Sequence, residues 1–383
     1  FSSLSLQSVF SWQMLLGFRL STYCLCLFLL SLSPTTALFS KKMPGSSRRI
    51  IQDIASLAKY IQSDQCSSIV VLTGAGMSVA SGIPDFRSAG GMYDTLRADL
   101  LTASSHQKQL MELDPTFVVS WDIFQKNAFP YLEVRRPFIL GTAQQQWKAT
   151  LAHQFLKLLD VKTNKFTRLY TQNIDGLDHQ CLPQDKIISV HGTIAEVACE
   201  GCGTEMEFDK FCQQVQSNIK DIYDPSLTDE EKKQQTSQKI ECPSCKQPLV
   251  KPKTVLFGRS LPENFFTCME QDMPKADLLI VAGTSLVVSP ANSLVYRVAK
   301  DCQRVVVNQE PVGQELGIAY SYDSNSSQKK GGAARDYFAQ GDCDQIFYEL
   351  CQELGWVEDL LAIQDSLPEK SRAVLASKQQ QQS

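Results

Sequence analysis

The sequence has no strong excess of either charge and few histidines. Its 383 residues include 37 Lys and Arg against 41 Asp and Glu, which leaves a net charge of −4, and only four histidines. A chain without a basic excess lacks the electrostatic footprint of nucleic-acid binding. Charged residues at 20% and hydrophobic residues at 43% are typical of a soluble globular protein with a sizeable core. The length allows two or three domains, or one large domain with insertions.

The sequence also lacks an apolar run that would span a bilayer comfortably. An apolar stretch at residues 20–32 follows a short basic start and precedes small residues that end at Ala37, so residues 14–37 resemble a signal peptide. The alternative is that translation starts at Met43 and that residues 1–42 are a wrongly assigned start. A genuine leader predicts an organelle or secretory route, and a start at Met43 predicts the nucleus or cytoplasm.

A glycine turn follows the first apolar strand. The β-branched run at residues 69–72 stops at Gly74-Ala75-Gly76, and residues 78–81 resemble a helix start. Glycines let the backbone approach phosphates, and a helix N-terminus favours an anion, so the pattern predicts a dinucleotide pyrophosphate site. The usual third glycine is replaced by Val79, and no second strand ending in an acid follows about 20 residues on. The glycines alone fit an ordinary turn equally well.

A rigid proline, a carboxylate, a ring and a guanidinium follow at Pro84-Asp85-Phe86-Arg87. An arginine here can bind pyrophosphate through two hydrogen bonds. A phenylalanine can shield a reactive ribose from water. Both features favour a nucleotide site over an ordinary turn.

Polar groups also follow the ends of later apolar strands. They are Gln172-Asn173-Ile174-Asp175 after residues 166–171, His191 after 187–190, Gly283-Thr284-Ser285 after 276–282, and Asn308-Gln309-Glu310 after 304–307. Strands of this kind separated by helical stretches predict a doubly wound parallel sheet with its ligand at the carboxyl edge. A histidine is more often structural, but the position of His191 at a strand end favours catalysis. Glu310 supplies a carboxylate suited to a ribose diol.

Two Cys-x-x-Cys pairs predict a metal site. Four thiolates, from Cys199, Cys202, Cys242 and Cys245, suit a closed tetrahedral Zn²⁺ that is structural rather than catalytic. The loop between the pairs exceeds the usual 15 to 20 residues. A redox role is the alternative, and the absence of a thioredoxin-like strand before either pair disfavours it.

Taken in order, these motifs resemble the sirtuin family of NAD-dependent protein-lysine deacylases. The matching stretches are Gly74-Ala-Gly-Met-Ser78, Pro84-Asp-Phe-Arg-Ser88, Thr171-Gln-Asn-Ile-Asp175, His191-Gly192, both cysteine pairs, Gly283-Thr-Ser-Leu286, Asn308 and Gly341-Asp-Cys343. They span residues 69–355. Within the family, the chain most resembles the class I branch that includes the cytosolic and nuclear tubulin and histone deacetylase.

The resemblance implies an α/β fold with a doubly wound, parallel, Rossmann-like sheet, a small zinc-ribbon module and a helical insertion. The NAD-binding domain would comprise residues 48–91, 151–192 and 250–356, the helical insertion with its cofactor loop 92–150, the zinc-binding module 193–249, and a C-terminal tail 357–383. We also expect helices at 48–62, 151–159 and 345–354. Residues 249–258 are expected to rejoin the main sheet, prolines to interrupt the insertion, and the Gln-rich end to be disordered.

The resemblance further implies the site residues. The NAD site would be formed by Thr73, Gly74, Ala75, Gly76, Met77, Asp85, Phe86, Arg87, Tyr93, Gln172, Asn173, Ile174, Asp175, Gly283, Thr284, Ser285, Asn308, Gln309, Glu310 and Cys343. The acyl-lysine would lie against Val255, Leu256 and Phe257. Asn173 and His191 would be catalytic.

In the implied reaction, His191 is a general base towards the ribose hydroxyls, which requires a neutral imidazole. Nicotinamide leaves, and the acyl group passes to ADP-ribose, giving free lysine and 2′-O-acyl-ADP-ribose. The implied partners are acetylated lysine proteins, with histones and tubulin-like proteins as candidates, without direct nucleic-acid contact or a stable membrane span. No clear Tyr and Arg pair of the kind that selects malonyl or succinyl groups is evident, so acetyl is the expected acyl group.

Two basic residues depart from the family pattern. Lys253 and Arg259 stand where the family usually has acids, beside the expected peptide groove. This exchange predicts a preference for acidic sequences around the substrate lysine. Three other functions stay open: mono-ADP-ribosyl transfer, a non-catalytic NAD-binding module, and a dehydrogenase. The presence of Asn173, Asp175 and His191 disfavours the second, and the cysteine pairs and altered glycine pattern disfavour the third.

Overall fold

The computed structural model describes residues 51–83, 91–320 and 335–382. The expectations for the N-terminal leader, for the start of the first helix at residue 48, and for Asp85, Phe86 and Arg87 lie on residues outside these ranges. Among the residues it describes, no helix is both long and apolar enough to cross a membrane.

The described strands form two sheets. Their bounds are Ile69–Thr73 (β1), Phe166–Thr171 (β2), Ile187–Ser189 (β3), Gly192–Cys199 (β4), Glu205–Met206 (β5), Val250–Thr254 (β6), Leu278–Ala282 (β7), Gln303–Asn308 (β8) and Asp336–Gln340 (β9). The larger sheet has the order β3-β2-β1-β7-β8-β9, and all its paired neighbours are parallel. The smaller sheet has the order β5-β4-β6 and is antiparallel.

Helices flank the larger sheet on both faces. The described α-helices are Ile54–Gln62 (α1), Ser105–Leu113 (α2), Trp121–Phe124 (α3), Phe129–Ala143 (α4), Leu151–Thr163 (α5), Phe208–Asn218 (α6), Asp229–Gln234 (α7), Glu263–Asp272 (α8), Leu294–Arg297 (α9), Cys343–Leu354 (α10), Val357–Leu361 (α11) and Glu369–Gln382 (α12). The fold is thus the expected doubly wound α/β sheet, with a separate small sheet that carries the cysteine pairs.

The central strand β1 shows why the sheet is covered on both faces. All its residues are buried, and successive side chains enter different cores. Ile69 and Val71 pack with α1, α5 and α10, whereas Val70 and Leu72 pack with α8 and α9. Side chains of a strand alternate between faces, so an uninterrupted apolar strand requires helices on both sides. The sequence pattern at residues 69–72 is therefore typical of a parallel sheet.

A third core joins the helical insertion to the small sheet. Phe124 and Tyr131 from α3 and α4 pack with Ile194 of β4 and Phe211 of α6. The expected prolines do not all break helices here: Pro130 lies in the first turn of α4, and Pro137 lies inside the same helix. A proline in the first turn loses no helical hydrogen bond, because that amide has no helical partner.

The first described helix begins at Ile54, because the carboxylate of Asp53 caps it by accepting a hydrogen bond from the amide of Ser56. The expected helix start at residues 78–81 was wrong. Residues 75–81 form two short 3₁₀ turns rather than an α-helix, and Gly82, with a φ of 87°, ends the second. Positive φ is incompatible with a continuing right-handed helix.

Residues 249–258 do not rejoin the main sheet. Strand β6 pairs antiparallel with β4, and Val250 lies opposite Cys199. The second cysteine pair brings the chain back beside the first, so the next strand pairs with the strand that leads into the first pair. The main sheet is instead extended by β9, which was not predicted.

The C-terminal end is helical, and the expectation of disorder for the Gln-rich segment was wrong up to Gln382. Helix α12 is held by buried contacts. The hydroxyl of Ser371 donates to Asp344 of α10 at 2.5 Å and accepts from the amide of Leu151 at 3.2 Å, and Leu375 is 1% exposed in the core.

We predict that Ser371→Ala lowers the free energy of unfolding by about 1 to 3 kcal/mol, because it removes one hydrogen bond of the buried Asp344 carboxylate and the partner of the Leu151 amide. Urea unfolding monitored by circular dichroism would measure the loss. Ser377→Ala is the matched control, since the exposed Ser377 hydroxyl bonds only the carbonyl of Val374 in its own helix. Equal stability of the two variants would contradict the proposed role of Ser371.

Candidate active site

Two glycine turns touch at the carboxyl edge of the main sheet, between β1 and β7. The amide of Gly76 donates to the carbonyl of Gly283 at 2.8 Å. A Cβ atom on Gly76 would lie 2.5 Å from the Cα of Gly283, and one on Gly74 would lie 2.7 Å from the Cβ of Thr284. Side chains are therefore excluded from both positions of the first turn. This place is also where the strand order reverses, which is the usual ligand position in such sheets.

A cavity of about 970 Å³ opens beside these turns. Most of the predicted site residues line it: Gly74, Ala75, Gly76, Tyr93, Gln172, Asn173, Ile174, His191, Val255, Leu256, Phe257, Gly283, Thr284, Ser285, Asn308, Gln309, Glu310 and Cys343. The structure thus brings the carboxyl ends of all six strands of the main sheet and the residues 255–257 to one cavity. Its size and its glycine-lined floor fit a dinucleotide, because backbone amides can approach phosphates only where side chains are missing.

Three predicted residues lie outside the lining of this cavity. Thr73 and Met77 are buried, at 0% and 1% exposure. Asp175 lies against a small neighbouring pocket that shares Ala75, Asn173 and Ile174 with the large cavity. These residues support the cavity wall from behind.

The imidazole of His191 is held in one orientation. Its Nδ1 lies 2.9 Å from the carbonyl oxygen of Gln172. A carbonyl can only accept, so Nδ1 carries the hydrogen and the neutral ring keeps an unprotonated Nε2. Nε2 is buried and, among the described residues, has no hydrogen-bond partner. Burial lowers the pKa of His191, although the Gln172 carbonyl opposes the shift. Nε2 is thus able to accept a proton.

The amides of Gln172 and Asn173 join the strand ends to one another. The Asn173 side chain donates to the carbonyl of Gly74 at 3.0 Å and to the hydroxyl of Ser78 at 3.2 Å. The Gln172 side chain donates to the hydroxyl of Thr284 at 2.9 Å. Asn173 thereby fixes the first glycine turn relative to β2, and Gln172 fixes the turn after β7 relative to β2.

A buried acidic network lies behind Asn173, and the sequence analysis did not identify all of it. The hydroxyl of Ser78 donates to Asp175 at 2.6 Å. Burial, together with the charge of Asp178, raises the pKa of Asp175. Burial also raises the pKa of Asp178 to about 6, and His153 Nε2 lies 3.6 Å from its carboxylate. The signal in the sequence was Asp178, a second acid three residues after Asp175. In proteins, acids are rarely fully buried unless they are paired.

Residues 255–257 form a wall of the cavity through backbone bonds. The amide of Val255 donates to the carbonyl of His191 at 2.8 Å. The amide of Phe257 donates to the carbonyl of Val119 at 3.0 Å. The Phe257 ring is 42% exposed. The wall therefore connects the histidine to the helical insertion.

Tyr131 and Arg135 of α4 line the same cavity, and the sequence analysis missed both. They are buried, and the Tyr131 hydroxyl lies 2.7 Å from that of Thr254. Their spacing of four residues on one helix face was the available signal.

The four cysteines form one cluster. The sulfurs of Cys199, Cys202, Cys242 and Cys245 all lie within 4.8 Å of one another. Two of the pairs, Cys199 with Cys245 and Cys202 with Cys242, are 3.6 Å apart. Tetrahedral zinc with Zn–S bonds near 2.3 Å requires sulfurs roughly 3.8 Å apart, so the donor set fits Zn²⁺ with all four positions taken. The cluster is thus suited to a structural ion.

The sequence that forms this cavity and the cysteine cluster matches one protein family. The model described as "Sir2 family" matches residues 74–290. The chain belongs to the Sir2 family. The sirtuin resemblance of the motifs is thereby confirmed.

The Sir2 chain is similar to several curated proteins. It is 34% identical over 352 residues to the NAD-dependent protein deacetylase sirtuin-2 of Danio rerio, covering 89% of this chain and 82% of that protein. It is 34% identical over 306 residues to the NAD-dependent deacetylase sir2A of Dictyostelium discoideum, covering 79% and 52%. It is 32% identical over 322 residues to the NAD-dependent protein deacetylase sirtuin-1 of Homo sapiens, covering 83% and 36%. The Sir2 chain thus spans most of the first relative and about half or less of the other two.

The two basic departures of this Sir2 chain have acidic partners of their own. Lys253 lies 3.1 Å from Glu196 and also bonds Glu205. Arg259 lies 3.2 Å from Glu200. Their positive charges are therefore offset within the chain, and the structure gives no support to the expected preference for acidic substrate sequences.

Proposed function

We propose that the protein is an NAD-dependent protein-lysine deacetylase. The observation that carries this proposal is the unprotonated Nε2 of His191 in a cavity that also contains the glycine turns and residues 255–257. A nucleotide site, a general base and a wall with an exposed aromatic ring thus meet at one place. The three relatives compared above are all named NAD-dependent deacetylases, which supports the same activity.

The residues of the chain would share the work as follows. Gly74 and Gly76 admit the phosphates, Ile174 and Asp175 lie at the nicotinamide, and Glu310 bonds the ribose diol. NAD supplies the ADP-ribosyl group that accepts the acetyl group when nicotinamide is released. His191 Nε2 takes up the proton of a ribose hydroxyl while Nδ1–H stays bonded to the Gln172 carbonyl. The cysteine cluster binds zinc and supplies no catalytic water.

We further propose acetylated lysine proteins as substrates, with histones and tubulin-like proteins as candidates, and class I as the branch. Mono-ADP-ribosyl transfer is the alternative function. It needs the same nucleotide cavity, and only the acceptor of the ADP-ribosyl group differs. The remaining role assignments, including those of Asp85, Phe86 and Arg87, rest on the family resemblance.

We predict that His191→Ala lowers deacetylation at least about 100-fold, because a general base contributes two to four orders of magnitude. The assay is mass spectrometry of an acetyl-lysine peptide incubated with and without NAD. His106→Ala, a change at an exposed histidine of α2, is the control. Loss of acetyl without NAD would sink the proposal, and ADP-ribose attached to protein would favour the transferase.

We predict that the acid limb of the pH profile lies below the ordinary histidine value of 6.5, because burial lowers the pKa of His191. A lowered pKa keeps the imidazole neutral, and therefore active as a base, to lower pH. The measurement is kcat/KM for the peptide between pH 5 and 9, with stability checked at each pH, since this parameter reports the free enzyme. A midpoint above 6.5 would contradict His191 as the titrating base.

We predict that acyl groups ending in a carboxylate are also removed, because the buried guanidinium of Arg135 lines the cavity. Charge-assisted hydrogen bonds contribute enough that Arg135→Met should lower kcat/KM for a succinyl peptide by about 10- to 100-fold more than for an acetyl peptide. Arg136→Met is the matched control, since Arg136 bonds Asp221 and does not line the cavity. Equal losses with both peptides would show that Arg135 does not select the acyl group.

A further inference from the structure

Glu200 connects the cysteine cluster to the wall of the cavity. It lies between Cys199 and Cys202, and its amide donates to the carbonyl of Leu249 at 2.9 Å. Its two carboxylate oxygens bond different cations: Oε1 lies 2.8 Å from Lys251 Nζ, and Oε2 lies 3.2 Å from Arg259 Nη2. These cations stand on either side of residues 255–257 in the chain. One carboxylate therefore holds both ends of the wall.

The near end of the wall is held through Lys251. This side chain is 1% exposed, and its ammonium also donates to the carbonyl oxygens of Pro252 and Thr254 at 2.8 and 2.5 Å. Burial lowers the pKa of Lys251, and the Glu200 carboxylate opposes that shift. A buried ammonium needs a carboxylate as well as carbonyl acceptors. Glu200 thus stabilises the backbone turn that leads from β6 into the wall.

The far end is held through Arg259. Its guanidinium stacks on the ring of Trp121 at 4.6 Å from the centroid, and its amide donates to the carbonyl of Leu256 at 3.0 Å. The amide of Trp121 in turn donates to the carbonyl of Phe257 at 2.9 Å. A guanidinium that is both stacked and ion-paired keeps one position. Displacement of Arg259 would therefore weaken the attachment of residues 256–257 to the helical insertion, which would then depend on the backbone bonds of Phe257 to Val119 and Trp121.

We infer that Glu200 is a positioning residue for the substrate-facing wall, which sets the peptide affinity by joining Lys251 to Arg259. Its carboxylate leaves the nucleotide cavity and His191 Nε2 untouched. The effect should therefore fall on the peptide and not on NAD. Only the effect on KM rests on the deacetylase activity proposed above. The positioning of the wall by Glu200 does not depend on it.

The first test is the Glu200→Gln variant of the full chain, which keeps the shape of the side chain and removes its charge. KM for an acetyl-lysine peptide should rise about 3- to 10-fold, while KM for NAD and kcat stay within about twofold. Glu196→Gln is the matched control, because Glu196 pairs with Lys253 on the surface and touches neither end of the wall. Unchanged KM for the peptide, or the same rise in the control, would overturn the inference.

The second variant is Arg259→Gln, which changes a partly exposed residue outside the cysteine cluster and keeps the zinc ligands. It should reproduce the rise in KM, and combining it with Glu200→Gln should add less than the sum of the two effects, because both remove one contact. Fully additive effects would overturn the coupling. The zinc content of every variant is measured to detect any loss of zinc from the cysteine cluster. If Glu200→Gln loses zinc, the KM of Arg259→Gln for the peptide decides whether the inference holds.

A readout without turnover separates this inference from the proposed function. In Glu200→Gln, the amide hydrogens of Phe257 and Arg259 should exchange faster with solvent than in the parent chain and in Glu196→Gln. Faster exchange would support the inference even if no acyl peptide were turned over, an outcome that would sink the deacetylase proposal alone. Unchanged exchange would overturn the positioning role whatever the activity.

Discussion

The contact of Gly76 with Gly283 is the constraint on which the site depends. Two strand ends can approach this closely only because neither residue carries a side chain, and the amide of Gly76 uses the approach to bond the Gly283 carbonyl. The same approach places Thr284 where the side chain of Gln172 bonds it. The turns after β1, β2 and β7 therefore act as one rigid floor. A floor that is already ordered loses little conformational entropy when a ligand binds.

The main sheet and its polar edge could be predicted because their signals are local. An apolar run such as residues 278–282 is recognisable in any window of the chain, and a polar turn at its end follows directly. His191 and the residues 172–175 were found in this way. The cysteine pairs were equally clear, because thiolates at that spacing have few alternative uses.

The features that could not be predicted depend on partners far away in the sequence. Nothing local distinguishes Ser371 from the polar residues around it; its importance comes from Asp344 and Leu151. Likewise, the pairing of β6 with β4 follows from the return of the chain at the second cysteine pair, and not from the residues of β6. Lys253 and Arg259 pair with Glu196, Glu205 and Glu200. These partners could not be predicted, since charge without geometry does not reveal its partner.

The position of β1 in the sheet has a consequence for synthesis. Ser67, just before this strand, bonds Asp277, which lies 210 residues later at the start of β7. The ribosome therefore releases the central strand long before one of its two neighbours exists. Until β7 emerges, β1 presents an unpaired apolar edge, which is the kind of surface that aggregates or recruits a chaperone. The compact site at the centre of the sheet is therefore complete only after β7 has been translated.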